Sequence, residues 1–220
     1  MSKQYAVIGL GRFGTSVART LFKLGQEVLA IDVSEERVKY TAEEVTHTLM
    51  ADTTDINVLK SIGIKNFDVV VVAIGENIQA NIMTVLLLKE LGVPYVVAKA
   101  LNRMQGRVLE KVGADRVVYP ERDMGKRIAH NLVSSNLVDY IELSQEFSII
   151  EVIAQKDMFG KNLKSLSFRT RYNVNVILIK RANGEVLFSP GAEDMVQIGD
   201  ILVLAGEKHS LDRLEQSWED

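Results

Sequence analysis

Short runs of apolar, mostly β-branched residues alternate along the first 135 residues with longer segments whose apolar positions recur every three or four residues. Runs of the first kind are typical of strands buried on both faces, and the second spacing is typical of amphipathic helices. The predicted strands are 5–8, 27–31, 46–50, 69–72, 95–98 and 116–118, with helices between them, for example over 15–24 and 78–91. This alternation predicts an α/β domain with a parallel sheet covered on both faces.

The pattern changes near residue 135. Residues 137–143 alternate apolar and polar as a half-exposed strand does, and short strand-like segments follow at 148–154, 174–180, 185–188 and 201–205. Asn183-Gly184 predicts a tight hairpin turn between two of these segments, and 210–218 has the pattern of a closing helix. We therefore expect a Rossmann-like domain over 1–135, a linker over 136–146 and a small α+β domain over 147–220.

Composition narrows the classes of protein that this chain could represent. The 220 residues suit one domain of ordinary size and a smaller one. A net charge of −3 argues against a nucleic-acid partner. The absence of cysteine excludes disulfides, thiolate metal sites and cysteine nucleophiles. The three histidines, His47, His130 and His209, lack partners at metal-ligand spacing. With no apolar signal region and no run long enough to span a membrane, we expect a cytoplasmic protein.

A glycine motif follows the first predicted strand. Gly9, Gly11 and Gly14 fit G-x-G-x-x-G and open a helix, and Asp32 stands 23 residues after Gly9, at the end of the second strand. The first glycine permits a tight turn, the second lets backbone N–H groups approach a phosphate, and the third lets the helix pack on the strand. A phosphate would sit at the positive end of the helix dipole, and the Asp32 carboxylate would accept hydrogen bonds from both ribose hydroxyls. The combination predicts that the loop Gly9-Leu10-Gly11-Arg12-Phe13-Gly14 binds an adenine nucleotide, the alternative being glycines that only shape a turn.

Two polar positions near this motif favour the same site. Arg12 stands at the helix start, where a cation opposes the helix dipole unless an anion is bound, so a phosphate contact is favoured over a solvated side chain. Asp52 and Thr53 follow the third strand, and strand ends of an open α/β sheet line its ligand crevice. Asp52 is a candidate for bonding the adenine or ribose, and Thr53 for contacting the base edge. The alternative role for this segment is to cap the helix predicted near 55–61.

The ends of the next three strands add further candidates. Ala73-Ile74-Gly75 follows the fourth strand, where a glycine allows close packing over a ribose, and Lys99 ends the fifth, either reaching the site or remaining exposed. Pro120 and Glu121 follow the sixth. The residues alone favour a helix start there, with proline at its first position. A carboxylate beside phosphates would need a bridging divalent cation.

Several of these segments resemble one known family. The segments are 5–14, Ala73-Ile-Gly-Glu-Asn-Ile-Gln79, Glu110-Lys-Val-Gly-Ala-Asp115 and Pro120-Glu-Arg-Asp-Met124. They resemble the RCK proteins, regulators of potassium conductance, and more closely the cytosolic subunits of bacterial Ktr potassium uptake systems. The resemblance extends over essentially the whole chain.

The resemblance implies a gating subunit without catalytic activity. Its N-terminal domain would form a ring, typically an octamer built from dimers, beneath a membrane potassium-translocating subunit of the Ktr type. ATP and ADP would bind at the glycine loop and favour different ring shapes, with ATP favouring the activated transporter. Arg12 would reach the ATP phosphates. Glu121 would lie at the γ-phosphate and at a Mg²⁺ or Ca²⁺ ion, which reverses the preference from the residues alone.

The C-terminal segment resembles the RCK-C domain, which implies pairing with a second copy and cyclic di-AMP bound between the two copies. The positions that match its ligand-binding residues are Leu163, Phe168, Arg169, Asn175, Val176, Ile177 and Pro190. Arg169 among apolar residues suits an anionic ligand flanked by nucleobases, although a surface salt bridge fits as well. Asn173 stands where relatives often have glycine, and asparagine tolerates the left-handed region of backbone conformation.

Two other functions fit parts of the sequence. An NAD-dependent oxidoreductase or NAD-sensing Rossmann protein would share the glycine motif, because NAD and ATP both carry an adenosine. A dehydrogenase also needs an acid or base beside the nicotinamide and a substrate domain. The C-terminal segment offers about 75 residues and a single histidine, His209. A nucleotide-responsive protein without a channel partner is the third possibility.

Overall fold

The computed structural model describes residues 3–133 and 137–218. The chain forms two compact units that divide after Arg122.

The first unit is a six-stranded parallel sheet with helices between the strands. Its elements are β1 (Gln4–Ile8), α1 (Arg12–Lys23), β2 (Glu27–Asp32), α2 (Glu35–Thr41), β3 (His47–Met50), α3 (Ile56–Ile62), β4 (Val69–Val72), α4 (Ile78–Glu90), β5 (Tyr95–Lys99), α5 (Arg103–Lys111) and β6 (Arg116–Val118). The strand order is β3-β2-β1-β4-β5-β6. From β1 the chain adds strands first toward one edge of the sheet (β2, β3) and then toward the other (β4, β5, β6), so the order of strands reverses between β1 and β4. A ligand crevice is expected at this point, at the carboxyl ends of the strands.

Both faces of this sheet are buried, which explains the continuous apolar runs of its strands. Ile8 and Val72 belong to one apolar cluster, whereas Val7, Ala30 and Val71 belong to another. Neighbouring residues of a strand point to opposite faces, so β1, β2, β4 and β5 each contribute to both clusters. The predicted parallel α/β architecture is confirmed.

Most predicted boundaries fall within two residues of the observed ones, but α1 begins at Arg12, three residues before the predicted start. Gly11 is the N-cap, and Thr15 donates its backbone N–H to the Gly11 carbonyl. The turn after β1 is therefore so short that the helix starts inside the glycine motif. This brings the positive end of α1 directly to the loop.

The second unit contains a five-stranded antiparallel sheet of order β10-β9-β11-β8-β7. Its elements are β7 (Leu137–Glu142), β8 (Phe147–Ile153), α7 (Leu163–Leu166), a π-helical turn (Phe168–Tyr172), β9 (Asn175–Lys180), β10 (Val186–Phe188), β11 (Ile201–Glu207) and α8 (Lys208–Gln216). Ile150, Ile179 and Leu204 of the sheet pack in one cluster with Leu211 and Leu214 of α8. The predicted small α+β architecture is confirmed.

Two segments lie in the second unit although the sequence interpretation assigned them elsewhere. The helix α6 (Pro120–Val133) continues beyond Arg122, so residues from Asp123 onward, expected in the first domain, belong to the second unit. Leu137–Glu142, expected in a linker, pairs with β8 as a strand. The alternating pattern of residues 137–143 predicted a strand, and the structure adds its partner, because it forms a hairpin with β8, which begins at Phe147. The limits of the two domains as functional units stay a prediction.

The hairpin predicted at Asn183-Gly184 joins β9 and β10. Arg181 donates its backbone N–H to the Glu185 carbonyl at 2.8 Å, and Gly184 has φ +88°. The Asn183 side chain accepts the Glu185 N–H at 3.0 Å. The turn chemistry expected from the two residues is therefore confirmed.

Candidate nucleotide-binding site

A cavity of about 930 Å³ lies at the carboxyl ends of the strands of the first unit. Every residue of that unit predicted to bind a ligand lines the cavity, except Gly14. The sequence interpretation did not select Val33, Arg37, Glu76 or Leu101, which also line it. Glu76 lies in the segment 73–79 that resembles the RCK proteins, whereas the other three belong to no quoted motif and line the cavity because of the elements that carry them.

The three motif glycines have three different geometric roles. Gly9 has φ +92°, and a Cβ there would lie 2.9 Å from the Ile74 nitrogen. A Cβ on Gly14 would lie 1.9 Å from the Gly9 carbonyl oxygen, so only glycine lets α1 pack on the loop. A Cβ on Gly11 would meet nothing within 4 Å, and Gly11 lines the cavity. Gly9 and Gly14 are therefore required by the fold, whereas the space beside Gly11 is available to a ligand.

The start of α1 presents unneutralised positive charge to the cavity. Gly11 provides no side-chain cap, and the first turn contains no acidic residue. Arg12 is exposed and lines the cavity, and it forms no ion pair with any residue in the described ranges, 3–133 and 137–218. Phe13 lines the cavity next to it. Backbone N–H groups at a helix start and a free guanidinium form the arrangement that binds phosphate.

Asp32, at the end of β2, is almost completely buried beside this loop. One carboxylate oxygen accepts the Leu10 backbone N–H at 2.6 Å, and the other accepts the Ser34 N–H at 2.8 Å. A nitrogen of the Arg37 guanidinium lies 3.7 Å from the first oxygen. Each oxygen of an ionised carboxylate accepts more than one hydrogen bond, so both retain capacity for ribose hydroxyls. Asp32 thus both fixes the glycine loop and offers acceptors at the cavity.

At the other side of the cavity, Lys99 and Glu121 form an ion pair. The Lys99 ammonium lies 2.5 Å from a Glu121 oxygen and over the Phe13 ring, 5.8 Å from the ring centre. The hydrogen bond from Lys99 holds the pKa of Glu121 below its ordinary value. Lys99 is buried, whereas the Glu121 side chain is 64% exposed. Pro120 is the first residue of α6. Glu121 therefore belongs to the first turn of that helix and also lines the cavity.

The segment after β3 lines the cavity and also leads into α3. Thr53 is buried, and its hydroxyl lies 3.0 Å from the Thr84 hydroxyl of α4, so this group points into the protein. Asp52 accepts the backbone N–H and the hydroxyl of Thr54, which lowers its pKa. Asp55 is the N-cap of α3. Asp52 therefore shapes the turn and keeps its exposed carboxylate at the cavity rim.

The residues present fit a hard cation only in combination with phosphate. No cluster of three or more His, Asp or Glu side chains suited to a metal occurs within the described ranges. Mg²⁺ is commonly held by one or two carboxylates together with substrate phosphates, and the exposed Glu121 carboxylate could supply such a ligand. Its present partner is the Lys99 ammonium, which a bound cation would have to replace.

A second cavity, of about 360 Å³, lies on the second unit between α7, the π-helical turn and the start of β9. It is lined by all but one of the predicted ligand-binding residues of this unit. Ile177 is the exception, and it is the extra residue of a bulge where β9 pairs with β11. Phe168 is mostly buried in the core cluster, while Arg169 is exposed and donates from Nε to the Asn175 side chain at 2.9 Å.

Left-handed backbone conformations shape this second cavity. Ser167 and Asn173 bracket the π-helical turn with φ +56° and +59°, and Ser189 precedes Pro190 with φ +52°. The expectation that Asn173 tolerates the left-handed region is confirmed. Arg169 follows the first of these turns and is exposed, and within the described residues its guanidinium donates to the neutral Asn175 side chain and forms no salt bridge.

Comparisons with known proteins agree with this architecture. The TrkA-N domain model matches residues 5–120, and the TrkA-C domain model matches residues 147–217. The chain is 48% identical over 216 residues to the Ktr system potassium uptake protein C of Bacillus subtilis, covering 98% of this chain and 97% of the relative. It is 46% identical to the Ktr system potassium uptake protein A of the same organism, covering 97% and 96%.

Among solved structures, the GsuK RCK domain superimposes with a TM-score of 0.70 at 19% identity. That match covers 100% of this chain and 48% of the GsuK chain, and at this identity it bears on the fold alone. In the part of the chain that the structure describes, no helix combines the length and apolarity needed to cross a membrane.

The strand order, the glycine loop and Asp32 define a Rossmann-type nucleotide-binding protein with a second antiparallel unit. Within that class, the chain belongs to the RCK family, as a member of the Ktr potassium uptake proteins.

Proposed function

We propose that this chain is the regulatory, non-catalytic subunit of a Ktr-type potassium uptake system, and that ATP and ADP bind in the cavity of the first unit. One observation carries the nucleotide assignment: Asp32, a buried acceptor, and the uncapped start of α1 border the same cavity. These groups suit a ribose and a phosphate respectively. The Ktr names of the relatives support the transport role.

ATP and ADP would differ at the end of the cavity formed by Arg12, Lys99 and Glu121. A third phosphate adds negative charge beside the Lys99–Glu121 pair, so Lys99 gains a phosphate partner and Glu121 becomes available to Mg²⁺ or Ca²⁺. The two nucleotides would shift the equilibrium between protein conformations only through such differential contacts.

The second unit would bind cyclic di-AMP between two copies of the chain. This ligand is two-fold symmetric and carries two phosphates, and a two-fold interface presents the same patch twice. Each phosphate would meet one Arg169, which is exposed at the cavity. Leu163 and Phe168, which line the cavity, and Ile177 of β9 would cover the bases.

The proposed partners are a membrane potassium-translocating subunit of the Ktr type and further copies of this chain in an octameric ring built from dimers. The protein would then be cytoplasmic and lie at the inner face of the membrane through that subunit. Co-purification with the membrane subunit, and the mass of the purified assembly, test these two statements.

Calorimetric titration with ATP, ADP and NAD tests the nucleotide assignment. We expect ATP and ADP to bind, and Asp32→Asn to weaken both by at least about tenfold, because charge-assisted hydrogen bonds to the ribose are lost. Asp68→Asn is the matched control, since Asp68 accepts the Gln4 backbone N–H beyond the opposite end of β1. Unchanged affinity in Asp32→Asn would remove the assignment, and tighter binding of NAD than of either nucleotide would favour an NAD-sensing protein.

A further inference from the structure

Two polar side chains lie on the buried face of α4. Asn81 and Thr84 both have 0% exposed surface, and they stand three residues apart, so they lie on the same side of the helix. Val85 and Leu88, next to them along the helix, belong to the apolar core. A buried polar group destabilises the fold unless it is hydrogen-bonded, so the partners of Asn81 and Thr84 indicate why polar residues occupy these positions.

The Asn81 amide bridges two neighbouring strand ends. Its Nδ2 donates to the Ile74 carbonyl at 2.6 Å and to the Lys99 carbonyl at 3.1 Å. Since both partners are acceptors, the amide must present its NH₂ group to them. Its Oδ1 is buried without a partner among the described residues. The interactions of this side chain are therefore made by the two N–H donors of its amide.

Both carbonyls belong to residues at the end of the cavity where Lys99 meets Glu121. Ile74 immediately precedes Gly75, and a Cβ on Gly75 would lie 3.6 Å from the Lys99 ammonium. Lys99 is the last residue of β5, and its ammonium contacts Glu121. Asn81 therefore ties together the backbones of the loop after β4 and of Lys99, without lining the cavity itself.

Thr84 makes a similar contact with the part of the sheet that lies beyond β1 in the strand order. Its hydroxyl meets that of Thr53, which follows β3. β3 and β2, which carries Asp32, lie on one side of β1, whereas β4 and β5 lie on the other. One helix face therefore holds two parts of the cavity wall through two separate side chains.

We propose that Asn81 is a positioning residue for the phosphate end of the nucleotide site, acting through the backbones of Ile74 and Lys99. This inference rests on the proposed binding of ATP in this cavity. A residue with only a structural role would lower the stability of the fold and weaken every ligand alike. A residue that positions the phosphate end weakens ATP selectively, since adenosine depends on Asp32 on the other side of β1.

The test compares ATP with adenosine, each measured by displacement of a fluorescent ATP analogue from the full chain. We expect Asn81→Ala to weaken ATP by about tenfold or more and adenosine by less than about twofold. Thr84→Val is the matched control on the same helix face, and it should leave the ratio of the two affinities unchanged.

If Asn81→Ala does not fold, Asn81→Ser, which keeps one hydroxyl donor, is used instead. It should also lose affinity for ATP but not for adenosine, by a smaller factor than Asn81→Ala would. Equal weakening of ATP and adenosine in a folded Asn81 variant, or no weakening of either, would overturn the inference. A wild-type protein that binds neither the analogue nor ATP would instead remove the proposed function, so the two failures are distinguishable.

Discussion

The two candidate ligand sites differ in how completely the side chains of a single chain form them. In the first unit, Asp32 and Lys99 are buried, hydrogen-bonded and directed at a cavity of about 930 Å³. In the second unit, the cavity is about 360 Å³, and its cation, Arg169, is exposed. The first arrangement is a preorganised site within one chain, whereas the second has the character of a surface that a second copy would complete. Substitutions of the buried, closely packed groups of the first unit should therefore affect folding and binding together, whereas substitutions at the exposed surface of the second site should affect binding alone.

Gly14→Ala should have the largest effect. The new Cβ would lie 1.9 Å from the Gly9 carbonyl oxygen and 3.0 Å from the Ala73 Cβ, so backbone must move. We expect the first unit to lose about 3 kcal/mol or more in its free energy of unfolding, measured by denaturant titration. Gly125→Ala in α6 is the control, because a Cβ there meets nothing within 4 Å. Equal stability of both variants would contradict the packing role of Gly14.

Gly11→Ala should separate binding from folding in the same loop. Its Cβ meets nothing within 4 Å and φ is −71°, so we expect a loss of no more than about 1 kcal/mol in stability. The methyl group would occupy the approach to the start of α1, and ATP affinity should fall by at least about tenfold in calorimetry. If affinity is unchanged, the phosphate does not lie beside Gly11.

Arg169→Ala tests whether the exposed guanidinium of the second site binds the ligand without contributing to the fold. We expect cyclic di-AMP binding to fall by at least about tenfold, with ATP affinity and stability unchanged, because the guanidinium is exposed. Arg171→Ala is the control, since Arg171 is also exposed but does not line the cavity. Wild-type calorimetry should give one ligand per two chains. One ligand per chain would contradict a shared site.

Glu121→Gln should have only a small effect on stability, and that effect should depend on pH. The Lys99 hydrogen bond lowers the pKa of Glu121 below its ordinary value of 4.5, so the ion pair stabilises the fold above that pH, and the contribution disappears as pH falls through the lowered pKa. With a largely exposed carboxylate, the difference between wild type and variant should be no more than about 1 kcal/mol near neutral pH and vanish in acid.

The same variant also tests the cation. If Glu121 holds one, Glu121→Gln should remove the effect of Mg²⁺ or Ca²⁺ on ATP affinity, measured with and without the ion. Identical ion dependence in wild type and variant would exclude this role. Lys99→Met complements the test, since removing the competing ammonium should strengthen cation binding at Glu121.

Local chemistry explains which features could be predicted from the sequence. Gly9 and Gly184, which lack a Cβ, and Asn173, a residue type enriched in the left-handed region, all have positive φ, so their turns were predictable from residue type. The buried strands follow from apolar runs, because a sheet covered on both faces requires them. The Rossmann motif sets an approximate spacing between the glycine loop and the acidic residue that ends the second strand, so the position of Asp32 beside the loop was predictable as well.

Only the tertiary structure decided which distant groups became partners. Lys99 with Glu121, Thr53 with Thr84, and Asn81 with the strand ends are contacts between residues 7 to 31 positions apart. None of them follows a helical or strand period, because each depends on which loops the strand order places side by side. Sequence determined the local conformations and the apolar faces, while the packing of those faces determined which polar groups meet.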